Sequence, residues 1–362
     1  MAAIVTTTAG LLAGTGILAG AANAATTFIG PLNPPTTRIA STVPANGDQN
    51  PYGVAVVPRS TGDLHQGDVL VSNFNNAATT ANPGGVQGTG TTIVQVSPGG
   101  AVSQFAGITD SACPGGVGLT TALVVLRSGW VIVGSLPTQN GSVSGAGCLI
   151  VLDSHGVVRE TFSGHGINGP WDMTALDLGG LSELFVTNVL NGTVAAGGNT
   201  VSGGTVLRLL ITSGATGLPR LLAVTRIGSG FAEHLDPAAL VIGPTGVGLG
   251  PNGTLYVADT VANRVAAIPN AAVRLTDDGT GQTVSVGGGL NGELGLAIAP
   301  NGDVLTVNGN DGNIVEVTPG GAQTVKTLIP NGAGDLFGLA VKPHANAVYF
   351  VNDGNNTLNL FH

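Results

Sequence analysis

The chain has 362 residues, 43 % of them hydrophobic, which is ample for one large core or several smaller ones. Only 9 % of residues are charged, the formal net charge is −9, and Lys326 and Lys342 are the only lysines. Clustered cations are what a phosphate backbone or an anionic lipid headgroup layer requires, so nucleic-acid binding and electrostatic lipid docking are disfavoured.

Met1 to Ala24 carries no charge and ends Ala22-Asn23-Ala24, the small-residue pattern of a signal-peptidase site. Residues 1–24 are therefore expected to be a signal peptide and residues 25–36 a linker, giving a secreted or periplasmic protein. Retention of the leader as an anchor is the alternative. No later apolar run reaches the ~20 residues of a spanning helix, so no stable membrane span is expected after cleavage.

From residue 37 onward the chain is rich in Val, Thr, Gly and Asn, the residues of strands and tight turns, and no long amphipathic helix interrupts it. A strand-like segment, Thr37 to Val43, comes first. A repeat then recurs six times. Each copy is two apolar strands joined by a turn. The first pairs Pro51 to Val56 with Asp68 to Asn73, and the second pairs Thr121 to Val125 with Val131 to Ser135. Pro170 to Ala175 pairs with Leu184 to Asn188, and Pro244 to Leu249 with Thr254 to Asp259. Gly295 to Ala299 pairs with Val304 to Asn308, and Gly338 to Val341 with Val348 to Asn352. The Pro-Asn-Gly turns supply a glycine where φ is positive. Two weaker strands follow each pair, making the four-stranded blade of a propeller. The last copy ends after three strands, so Thr37 to Val43 is expected to supply the missing outer strand and hide both edges. The fold class expected is all-β: a six-bladed propeller of four-stranded antiparallel blades over residues 37–362, closed by an N-terminal outer strand.

The residues of the copies resemble the NHL repeat, most closely Val257-Ala258-Asp259 followed by Asn263-Arg264-Val265. Other copies keep the Asn (Asn73, Asn188, Asn308, Asn352) but lack the Arg. The resemblance implies a toroid with a central channel that binds peptides, RNA or small molecules. A more distant similarity extends to lactonases of the gluconolactonase type and to streptogramin-type lyases. The lactonases use carboxylates and amides around a divalent cation, a chemistry to which Asp172 and Glu293 would contribute here.

Strand order puts the fourth-to-first and second-to-third connections on one face, called upper here. The long connections fall there, including Asn75 to Thr91, Leu136 to Gly147, Val189 to Gly204, Gly107 to Thr120 and Gly228 to Gly243. The residue before each first strand, Tyr52, Thr121, Trp171, Thr245, Leu294 or Phe337, should point to the channel mouth. Three aromatics in that one ring read either as a ligand pocket or as a plug of core. Tyr52, Trp171, Asp172, Phe337 and Glu293 are the candidate ligand-binding residues. Asp172 stands where most copies carry Gly or Ala.

Cys113 enters the second blade from the upper face and Cys148 begins that blade's third strand, so a disulfide between them is expected, against the alternative of two free thiols. No Gly-x-Ser-x-Gly elbow and no Cys beside a His marks a nucleophile. The expectation is a monomeric scaffold that binds a small molecule, glycan or protein through its upper face and channel mouth, with no cofactor. The alternative is a hydrolase or lyase in the channel using a divalent cation such as Ca²⁺ or Mg²⁺.

Overall fold

The structure, a computed structural model, describes residues 27–362 apart from residue 140. The expected signal peptide lies outside the described residues. The described chain is a β-propeller of six blades. Blade one is Gln49–Val56, Val69–Asn75, Thr92–Val96 and Val102–Gly107; blade two is Leu119–Val125, Val131–Ser135, Cys148–Leu152 and Val158–Phe162. Blade three is Pro170–Asp177, Leu181–Asn188, Val201–Thr212 and Leu221–Asp236, with a short fifth strand, Leu240–Ile242. Blade four is Pro244–Leu249, Leu255–Asp259, Arg264–Ile268 and Gln282–Val286, and blade five is Glu293–Ile298, Val304–Asn308, Asn313–Val317 and Gln323–Thr327. Blade six takes Leu336–Val341, Val348–Asn352 and Thr357–Phe361 from the C-terminus and Thr37–Ser41 from the N-terminus. Thr37 pairs with Leu360 and Ser41 with Thr357, which is the expected closure.

Burial explains why the second strands read as unbroken apolar runs. Val69–Asn75, Val131–Ser135 and Val304–Asn308 are buried at every position, because a neighbouring blade covers each face. The outer strands are half-exposed and correspondingly polar. Near the axis the inner strands converge. A Cβ on Gly338 would lie 2.0 Å from the Tyr52 carbonyl oxygen, and one on Gly295 would lie 2.2 Å from that of Phe337. These glycines let adjacent backbones touch. Hydroxyls latch the blades together: Ser72 donates to the Thr120 carbonyl (2.8 Å), and Thr245 to that of Leu294 (3.2 Å). The recurrent Asn has a structural role. Asn188 accepts from the amides of Asn168 and Gly169 (2.8 and 2.9 Å), and Asn308 donates to the Gly289 carbonyl (2.8 Å). In blades three and five the end of the second strand thereby holds the connection leading into its own blade.

Two segments differ from expectation. Gly228 to Gly243 is not a loop: the fourth strand of blade three runs on to Asp236, and Leu235 turns back against Val241. Its glycines mark close packing, since a Cβ on Gly228 would lie 2.9 Å from Ile268 of blade four. The second is the segment read as a linker. Phe28, Ile29 and Leu32 are buried against blades five and six, and the amides of Phe28 and Ile29 donate to the Glu316 carboxylate (2.6 and 2.8 Å). Cys113 and Cys148 form a buried disulfide with Cα atoms 5.9 Å apart.

Candidate functional site

The six inner strands enclose a central channel with a cavity of about 350 Å³. Its two ends differ. At the upper end Tyr52, Trp171, Leu294 and Phe337 are buried to within a few per cent of their surface. Tyr52 stacks on Phe337 with ring centroids 4.0 Å apart and on Phe74 at 4.5 Å. Ala239, Leu240 and Val241, from the turn-back of blade three, join this cluster. The Trp171 indole donates to the Val241 carbonyl (3.0 Å). Gln87, in the long loop of blade one, donates to the carbonyls of Pro237 and Ala238 (3.0 and 2.9 Å), and Asp236 accepts from the amides of Ala238 and Ala239. The segment is therefore tied down on two sides, and the ring of aromatics is a covered plug. Phe74, Gln87 and Ala239 to Val241 complete it; only their apolar or amide character was visible in sequence.

At the lower end, where first strands turn into second strands, the channel is open. Val56, Val125, Leu249, Ile298 and Val341 are half-exposed there. The wall above them is built mainly of Val, Leu, Ala and Gly residues but exposes as much polar as apolar surface, and Thr174 and Asp177 line it as well as Asp172. Asp172 occupies the position that is glycine in four blades. It accepts from the amides of Met173 (2.8 Å) and, across the seam to blade four, Val247 (3.1 Å). Burial nonetheless dominates and pushes its carboxyl up to about 8, so it is largely neutral at pH 7. Thr121 also lines the channel, and its hydroxyl is buried without a hydrogen-bond partner.

Glu293 is not at this site. It is fully buried near Asp259 and Arg264, and both its carboxylate oxygens lack a partner; burial pushes it up to about 8. Asp259 is held by Arg264 at 2.7 Å. The two carboxylates proposed by resemblance for a cation thus stand apart, Asp172 alone lining the channel and already bonded to two amides. Among the described residues no group of three or more His, Cys, Asp or Glu side chains gathers, so the donor set does not fit a hard cation in the channel. A smaller hollow of about 220 Å³ lies on the upper face between the turn-back of blade three and blades four to six, with His234, Asp236, Asn263 and Asn310 on its walls.

No protein-family profile and no curated protein matches the sequence. Solved structures do match in fold. A catalytically inactive virginiamycin B lyase from Staphylococcus aureus, with quinupristin, aligns over 88 % of this chain and 83 % of its own at 14 % identity and a TM-score of 0.52. A gluconolactonase from Xanthomonas campestris aligns over 91 % and 96 % at 13 % identity, TM-score 0.54. The PQQ-bound aldose sugar dehydrogenase of Streptomyces coelicolor aligns over 91 % and 98 % at 14 % identity, TM-score 0.54. The likeness is one of fold. Neighbours this distant include a lyase, a lactonase and a dehydrogenase, and the propeller is what they share with this chain.

Proposed function

We propose that this chain is an exported small-molecule-binding propeller whose site is the central channel, entered from the lower face. The observation that supports it most is the blind end. A cavity of about 350 Å³, walled largely by apolar side chains, has one neutral carboxyl, that of Asp172, near its closed end. Few polar groups converging at the end of an apolar pocket is the usual form of a ligand site. A neutral Asp172 donates one O–H, so the ligand class is a slender apolar molecule with an acceptor at its tip, such as a ketone or an alcohol. The upper aromatics, Tyr52, Trp171 and Phe337, shape the floor. The buried disulfide and the uncharged N-terminal segment support export.

The test is calorimetric titration with 2-nonanone, nonanoic acid and nonylamine. The ketone should bind best below pH 8. Asp172→Ala should weaken it about tenfold, the worth of one hydrogen bond, while Asp172→Asn, which keeps a donor, should weaken it less. Equal binding by wild type and Asp172→Ala would sink the proposal. A second reading, a hydrolase or lyase in which Asp172 moves the proton, is favoured by the same raised carboxyl. Turnover of a lactone or ester panel, abolished by Asp172→Asn, would establish that reading over simple binding.

A further inference from the structure

We propose that the lower face is a lipid-docking surface, on which the propeller rests against a bilayer by inserting apolar side chains. The described residues expose twelve large apolar side chains, and eight of them belong to lower-face turns or strand ends. Six are concentrated on two adjacent blades: Leu178, Leu181, Leu218 and Leu222 on blade three, and Val273 and Leu275 on blade four. Leu275 is 80 % exposed, Val273 73 % and Leu178 63 %. The two groups are held side by side. Arg208 of blade three donates to the Ala271 carbonyl (3.3 Å), and Arg226 pairs with Asp277 (2.8 Å), both partners lying in the blade-four loop that carries Val273 and Leu275. Isolated exposed apolar residues need no explanation, but a contiguous group on one face marks a contact surface.

Residues 1–24 are uncharged and apolar. The segment that follows them is pinned to this same face, because Glu316, near the lower end of blade five, holds the amides of Phe28 and Ile29. Where the leader is retained as an anchor, the alternative to cleavage, this attachment presents the lower face to the bilayer. Arg226 pairs with Asp277 and Arg274 with Asp278 (2.9 Å), which leaves Arg220, between Leu218 and Leu222, as the exposed cation of the patch without an ion pair among the described residues. Docking is thus chiefly by apolar insertion, with a single unpaired, exposed cation facing the headgroups. The channel opens in this face, but docking does not depend on the channel holding a ligand.

The described cysteines are both in the disulfide, so single-cysteine variants of the full chain can be labelled with an environment-sensitive fluorophore. Leu218→Cys and Leu275→Cys report the lower face; Val194→Cys, 55 % exposed in an upper connection, is the control. With phosphatidylcholine vesicles the two lower labels should shift to the blue and be quenched by brominated lipid, while the upper label does neither. Added phosphatidylglycerol or salt should change partitioning by no more than the roughly fivefold that one cation contributes. Combining Leu178→Ser, Leu218→Ser, Leu222→Ser and Leu275→Ser should lower the partition coefficient of the folded protein more than tenfold. Labels that respond alike on both faces, or binding that requires anionic lipid, would overturn the proposal. It would equally fail if the fourfold variant bound vesicles normally and instead turned a sedimenting dimer into a monomer, since the face would then serve self-association.

Discussion

Replacing Asp172 with asparagine should make the protein's stability less sensitive to pH, and the size of the effect follows from the site. In the folded state burial holds this carboxyl at about 8, whereas in the unfolded chain it returns to its ordinary value near 4. The folded form therefore binds a proton that the unfolded form releases. The stability from this group is fully present below about pH 4 and is lost as the pH rises toward 8. At 1.36 kcal/mol per pH unit, the loss between pH 5 and pH 8 is up to about 4 kcal/mol. Asparagine does not titrate, but it offers one acceptor oxygen to the two amides of Met173 and Val247, which costs about 1–3 kcal/mol. At pH 5 these two effects nearly cancel. At pH 8 the asparagine protein should be the more stable by a few kcal/mol, a difference of several degrees in Tm. Glu293, Glu233 and Asp353 are also raised by burial, so wild-type stability as a whole should fall from pH 5 to 8; they cancel when variant and wild type are compared. Thermal melts of both proteins across that range decide it. Parallel Tm-against-pH curves would refute the assignment of a buried neutral carboxyl at the end of the channel.

Three further outcomes are expected. Gly338→Ala places a methyl 2.0 Å from the Tyr52 carbonyl and should cost about 1–3 kcal/mol or more, read as a lowered denaturation midpoint; a neutral result would mean the blade-six to blade-one seam is looser than described. Deleting residues 27–45 removes the outer strand of blade six and the buried Phe28, Ile29 and Leu32, and should abolish the cooperative melt; an unchanged melt would contradict the closure. Replacing both Cys113 and Cys148 with serine removes a bridge spanning 35 residues and should lower stability by up to about 4 kcal/mol in chemical denaturation, whereas an unaltered midpoint would mean the bond contributes nothing.

The blades were legible because each second strand is sandwiched between neighbouring blades and so must be apolar throughout, and because the Pro-Asn-Gly turns announce themselves. Gly253 and Gly302 do adopt positive φ (77° and 88°). Counting three strands at the C-terminus was enough to require Thr37–Ser41 at the seam. What local pattern could not show is how side chains of equivalent positions meet. Trp171 carries a bulky ring, but whether that ring lines a pocket or a plug depends on Val241, which reaches it from the end of a strand extension whose glycines read as loop. Glu293 and Asp172 both sit near the start of first strands, yet only Asp172, one of a run of glycine positions, lines the channel. Phe28 and Ile29 show no periodicity; their burial depends on a carboxylate nearly three hundred residues away in sequence.

The central claim is that a slender apolar ligand enters the channel from the lower face and points its acceptor at Asp172. A crystal soaked with 9-bromo-2-nonanone tests it directly, because the anomalous signal of bromine locates the tail. One peak is expected among Val56, Val125, Leu249, Ile298 and Val341, with the carbonyl toward Asp172 and Thr121. A peak in the upper hollow beside His234 and Asn310, with the channel empty, would contradict it.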